Sequence, residues 1–88
     1  MQYNRSKKFD KIVSKIKDKW LLTEIDNCIN EIEVANDVNE IKNLKKMKGF
    51  SNPYRIKIKD YRLCFYLNEN KIELEKIAHR KDVYNDFP

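Results

Sequence analysis

Between Tyr54 and Ala78 the apolar residues recur with a period of two, and very little separates one alternating run from the next. In Tyr54–Lys59, Tyr54, Ile56 and Ile58 alternate with Arg55, Lys57 and Lys59. In Tyr61–Leu67, Tyr61, Leu63, Phe65 and Leu67 alternate with Arg62, Cys64 and Tyr66. This is the pattern of strands that bury one face and leave the other polar. Lys59-Asp60 remains as a tight hairpin turn without a glycine to help it, and Asn68–Asn70 makes a second turn. Lys71–Ala78 reads as a third strand with Ile72 and Leu74 on one face. Ile77 is out of phase with them, which predicts a bulge or the end of the strand. Three sequential strands on short turns form an antiparallel meander, and its apolar face needs a cover.

The first half of the chain supplies that cover. Ser6 is placed as an N-cap, and Phe9, Ile12, Val13, Ile16 and Trp20 follow at helical spacing, giving an amphipathic helix to about Asp18. A second stripe, Leu22, Ile25, Ile29 and Ile32 with Cys28 beside it, predicts a second helix. Both stripes are expected to be core, packed as a helical hairpin on the sheet. Gln2–Arg5 is short and extended enough for a strand. Asn36–Asn39 breaks the helical pattern, and Asn43–Gly49 reads as a basic connector with Gly49 at its turn. Asn52-Pro53 opens the meander, since a residue before proline avoids the helical region. At 88 residues the chain has one core, so residues 1–88 form a single α+β domain in the order β-α-α-β-β-β, with a mainly antiparallel sheet.

Several classes of function fall away. No apolar run approaches the ~20 residues that span a bilayer, and Met1–Phe9 lacks the apolar stretch of a signal peptide, so a cytoplasmic protein is expected. Cys28, Cys64 and the lone His79 are too few and too scattered for a zinc site of ordinary type; reduced, buried thiols and no metal are expected. P-loop, GxSxG and paired-carboxylate motifs are absent. The charge is more informative. Residues 1–44 hold eight Lys/Arg against eight Asp/Glu, and residues 45–88 hold eleven against six, so the whole net charge of +5 falls in the second half. Such a localised excess suits a polyanion or an acidic partner, or a merely solubilising surface.

Alternation places Arg55 and Lys57 on the polar face of the first meander strand and Arg62 beside them on the next. Like charges so placed repel unless a polyanion completes them, or unless Glu73 and Glu75 neutralise them in a cross-strand lattice. Both readings stand at the level of sequence. The tail adds His79, Arg80, Lys81 and Tyr84. Histidine is the side chain whose charge changes near neutral pH, and a tyrosine there either stacks on a base or packs over the sheet edge.

The segments YRIKIKDYRLCFYL and IAHRKDVY, in this order and spacing, strongly resemble the RelE/ParE superfamily of type II toxins. The upstream stretch KIKDKWLLTEIDNCINEIEVANDVNEIKNLKKMKGF looks like the family's helical hairpin and connector, so the resemblance covers nearly the whole chain. It implies a toxin that cuts mRNA in the ribosomal A site without metal or cofactor, held in check by a cognate antitoxin; mRNA, ribosome and antitoxin are its expected partners. By resemblance Arg55 and Lys57 match the two basic positions of the first meander strand, Arg62 the arginine after Asp-Tyr, Arg80 the tail arginine and Tyr84 the tail aromatic. Lys57 would then be the base that accepts the ribose 2′-OH proton, a role that cationic neighbours favour by penalising its charged form. Arg62 would hold the non-bridging oxygens, and Arg80 or His79 would assist the leaving 5′ oxygen. Tyr84 would stack on or orient the substrate, while Arg55, Lys59, Lys46, Lys48 and Lys81 would bind RNA. Lys59 stands where many relatives carry glycine, and Arg55 where some active members carry lysine. Two other outcomes remain within the resemblance: a ParE-like inhibitor of DNA gyrase without nuclease activity, and an inactive module that only binds its antitoxin.

Overall fold

The computed structural model describes residues 1–83 and 87–88. Five strands form one sheet: β1 (Gln2–Arg5), β2 (Leu44–Lys46), β3 (Pro53–Ile58), β4 (Tyr61–Asn68) and β5 (Lys71–His79), in the spatial order β1-β5-β4-β3-β2. The predicted meander is β3-β4-β5, with β3 and β4 paired from Pro53↔Tyr66 to Ile58↔Tyr61. Its two turns are Lys59-Asp60 and Glu69-Asn70. Lys59 takes a positive φ of 51°, and Glu69 and Asn70 both do, at 47° and 65°; two successive left-handed residues match the right-handed twist of the flanking strands. The short β1 pairs parallel with β5, from Gln2↔Lys71 to Arg5↔Leu74.

One predicted connector is a strand. Leu44–Lys46, expected as loop, pairs antiparallel with β3 through Leu44↔Ile56, Lys45↔Arg55 and Lys46↔Tyr54. Three residues are too few to show a period, and two of them are lysines, which protect an exposed sheet edge from adding further strands. Gly49 follows with φ 83°, the turn conformation expected of it.

The helices are α1 (Lys7–Ser14) and α2 (Lys19–Val34). The Ser6 side chain accepts from the Phe9 N–H, as predicted for an N-cap, and Asp18 caps α2 by accepting from Trp20 and Leu21. The first helix therefore ends four residues earlier than its stripe suggested, because Asp18 starts a new helix. Trp20 moves with it: it lies in the first turn of α2, 43% exposed, and is not core. Leu21, rather than Leu22, leads the buried stripe of Ile25, Ile29 and Ile32. These residues and Phe9 pack on Ile56, Leu63, Phe65, Ile72 and Leu74 of the sheet to form the main core.

The phase slip at Ile77 is a bulge. Cys64 pairs with Lys76 but Phe65 pairs with Leu74, so Glu75 has no partner on β4. The slip returns Ile77, opposite Leu63, to the helix-covered face. On the other face, Met47, Cys64, Val83 and Phe87 form a second, smaller core, with Tyr66 and Ala78 against it.

Candidate nucleic-acid interface

The face of the sheet turned away from the helices carries the predicted cations. Register places Lys45 opposite Arg55, Arg55 opposite Cys64, and Cys64 opposite Lys76; one row nearer the hairpin turn, Lys57 lies opposite Arg62, and Arg62 opposite Ala78. Two cross-strand pairs, Lys45 with Arg55 and Lys57 with Arg62, thus join like charges, which costs stability. Asn43, Leu44, Lys45, Arg55, Lys57 and Arg62 line an open groove of about 330 Å³.

The described contacts of Glu73 and Glu75 lead away from Lys57 and Arg62. Glu75, freed by the bulge, reaches Lys8 on α1 at 3.9 Å, and Glu73 bonds Asn4 Nδ2 at 3.0 Å and lies 4.0 Å from Lys71. Among the described residues, Lys45, Lys57 and Arg62 form no ion pair with an acid. Arg62 is held by neutral partners instead: its Nη1 donates to the carbonyls of Lys59 at 2.7 Å and Tyr61 at 2.9 Å. Those bonds fix the guanidinium at the hairpin turn and leave its other N–H groups for an anion, and their loss of side-chain entropy is already met in the free protein.

The remaining predicted residues divide sharply. Arg55 is only 8% exposed, a buried wall of the groove rather than an open anchor, and Lys76, 9% exposed, flanks Cys64 on its other side. Arg80 extends the ladder past β5: its N–H donates to the Asp60 carbonyl at 2.7 Å, and its guanidinium Nε lies 3.8 Å from the Asp60 carboxylate. Both of those side chains are more than half exposed, so the pair is weak and readily exchanged for a phosphate. His79 lies opposite Tyr61, with its ring edge-on to the tyrosine at 5.4 Å, and its Nδ1 accepts from the Lys81 N–H at 3.2 Å. Strand alternation sets it on the helix-covered side, away from Lys57 and Arg62. Lys46, opposite Tyr54, alternates to that side too, and Lys48 is exposed in the following loop; neither lines the groove. Lys59 lies in the turn with its ammonium 5.4 Å from the centre of the Trp20 ring. Lys81 is exposed beyond β5. Tyr84 falls outside the described residues.

Sequence reasoning missed Lys45 and Asn43, which line the groove from the unrecognised edge strand, and Lys76, whose face was hidden by the bulge. Both cysteines are free. Burial, followed by the charges of Glu31 and Glu24, pushes the Cys28 thiol up to about 11, so it stays protonated at neutral pH. Among the described residues no helix is long and apolar enough to cross a membrane.

Comparison with known proteins adds lineage to this geometry. No model of a known protein family matches the chain. Over 61 residues it is 38% identical to Toxin RelE3 of Methanocaldococcus jannaschii, an alignment that spans 68% of this chain and 69% of that protein. It also superposes, over 100% of both chains, on a chain from the crystal structure of the RelB-RelE antitoxin-toxin complex of Methanococcus jannaschii, with a TM-score of 0.78 and 29% identity.

Proposed function

The chain belongs to the RelE family of toxins of type II toxin-antitoxin systems, and from that premise we propose that its basic groove binds and cuts mRNA in the ribosomal A site. The observation that carries the reading is the Lys57–Arg62 pair: two directly opposed cations with no described acid between them, one of them already oriented by backbone carbonyls. A fold keeps such a costly pair where an anion completes it.

The family resemblance supplies the chemistry, and the opposed Lys57 and Arg62 support it. Lys57 takes the proton of the ribose 2′-OH, and that oxygen attacks the adjacent phosphorus. The bond to the 5′ oxygen breaks, leaving a 2′,3′-cyclic phosphate on one fragment and a 5′-OH on the other. Arg62 hydrogen-bonds the non-bridging oxygens, where negative charge builds in the phosphorane. Arg80, at the same turn as Arg62, supports the departing oxygen once it releases Asp60. His79 is the lesser candidate for that role, since its strand position turns it from the groove. Lys45 holds the flanking backbone, with Lys59 and Lys81 at the rim, and the buried Arg55 stands in the groove wall behind it. The family resemblance assigns Tyr84, which lies outside the described residues, to stack on or orient the substrate. No metal or cofactor takes part in these steps.

The partner is an antitoxin with an acidic segment that covers the groove, a reading supported by the antitoxin-bound state of the RelE chain this one superposes on. The site of action is the cytoplasm, where ribosomes are.

Primer extension on an mRNA in a purified translation system, with wild type and the Lys57→Ala/Arg62→Ala variant, tests the reading. Cuts at A-site codons that vanish in a folded double variant are expected. A growth-inhibitory wild type that makes no cuts, but leaves gyrase-linked DNA breaks, would replace the nuclease with a gyrase poison. A chain with neither effect when expressed without antitoxin would be an antitoxin-binding module.

A further inference from the structure

A second groove, of about 480 Å³, runs between α2 and the edge of β3, and its lining includes Trp20, Glu24, Asn27, Lys57 and Lys59. Lys57 and Asn43 line this groove and the basic groove alike, so the two meet at the proposed base. At the rim stands Trp20, the chain's only tryptophan. Large aromatics left on a surface are normally few, and this one is oriented: the Lys59 ammonium lies 5.4 Å from its ring centre, yet 43% of the residue is still exposed. Lys59 is also the residue whose carbonyl accepts from Arg62 at 2.7 Å. One two-residue turn therefore ties the orientation of the indole to that of the phosphate-binding arginine.

We propose that Trp20, steadied by Lys59, is a stacking platform for an unpaired base of the RNA next to the scissile phosphate, and so a specificity-determining residue. The inference rests on the reading of the basic groove as an RNA site. The charges sort what enters where. Lys57, Lys59, Glu24 and Glu31 all line the groove, but Lys57 and Lys59 are exposed and suit the phosphate backbone, while Glu24 and Glu31 are half-buried and repel phosphate. Glu31 accepts from the Lys42 N–H at 3.3 Å, and Glu24 from Asn27 at 3.4 Å, so the wall is polar and preset. What fits is a neutral, flat group with polar edges: a nucleobase, its face on the indole and its edge on the wall.

A single-stranded oligoribonucleotide, made uncleavable by a 2′-O-methyl group at the cut site, serves as probe. Its binding is followed by anisotropy of a label and by the emission of Trp20. Quenching of the indole on binding is expected, with Trp20→Ala weakening affinity roughly 5- to 100-fold and Trp20→Phe retaining most of it. On mRNA in the A site of ribosomes, Trp20→Ala should raise KM more than it lowers kcat, and should flatten the preference for bases beside the cut. An oligonucleotide that binds wild type and Trp20→Ala equally, with unchanged emission, overturns the platform while sparing the nuclease. Quenching without any cleavage of mRNA in the purified translation system keeps the platform and removes the nuclease. Emission that responds only to an acidic antitoxin peptide, and not to RNA, overturns the platform in favour of a protein anchor.

Discussion

Phe65 and Cys64 are neighbours in β4 and both are fully buried, but they point into cores of very different extent. Phe65 enters the main core beneath α1 and α2 and stacks on Tyr54 with ring centres 5.4 Å apart. Cys64 enters the small cluster with Met47, Val83 and Phe87. The helix-covered face is apolar from one end of the meander to the other. The opposite face is apolar only where the tail and the β2 loop lie over it, and it becomes cationic in the row that holds Lys57 and Arg62. A sheet with a second complete apolar cover would have no room for that row. The site exists because the second cover is partial.

The sharpest way to break this comparison is through the main core. Phe65→Ala should cost about 3–5 kcal/mol, since the ring is wholly enclosed and its surroundings cannot collapse freely. Denaturant unfolding would show a midpoint shift large enough to threaten folding at all. A loss below about 1 kcal/mol, small beside what such enclosed rings normally contribute, would mean that the helix-covered face does not dominate stability.

Next in size is an effect on activity with none on folding. Arg62→Ala should lower the cleavage rate by about 10²–10³-fold, the range seen when one donor to a developing oxyanion is removed. Its melting temperature should hold or rise, because the like charge facing Lys57 is gone. A large drop in stability with activity intact would show Arg62 to be a structural clamp of the hairpin turn.

The same contrast explains what could be read from sequence. Strands β3, β4 and β5 and the stripe of α2 were legible because they bury one whole face, and burial of a whole face imposes a period. Ser6 was legible because its hydroxyl meets the Phe9 N–H within a single turn. What escaped has no period to show: Leu44–Lys46 is three residues long, and Trp20 continued the α1 spacing across the break that Asp18 makes. On the open face, Arg55, Lys57 and Arg62 were placed by alternation alone, but the burial of Arg55 needed the position of the small cluster, which no local pattern encodes. Alternation alone left the face of Glu75 open, and the bulge decides it. His79 and Arg80, adjacent in sequence, could be separated only once Tyr61↔His79 fixed which of them turns from the groove.

A smaller effect tests the partial cover. Val83→Ala should cost about 2 kcal/mol, the loss of two buried methyl-sized groups at about 0.8 kcal/mol each plus a little cavity. Val83 is fully buried in the small core, beside Cys64 and close to Ala78, the β5 partner of Arg62. The loss should therefore appear in unfolding midpoints and also in faster amide exchange at the end of β5, with α2 unaffected. Equal exchange changes on both faces would show that the two cores open as one unit.

The smallest effect separates the site from its approaches. Each phosphate contact on a single strand contributes about 0.7 to the slope of log affinity against log salt, because a counterion is released. Lys45 lines the basic groove opposite Arg55, whereas Lys46, its neighbour in β2, alternates to the other side and lines neither groove. Titrating an uncleavable oligoribonucleotide at several salt concentrations should therefore show a slope lowered by about 0.7 for Lys45→Ala and by close to nothing for Lys46→Ala. The two residues have the same charge, share an edge strand and are both exposed, so net charge cannot account for a difference between them. Equal reductions would mean that RNA senses this edge only as a diffuse basic field. Unequal ones, in the stated order, would locate the backbone in the groove with Lys57 and Arg62.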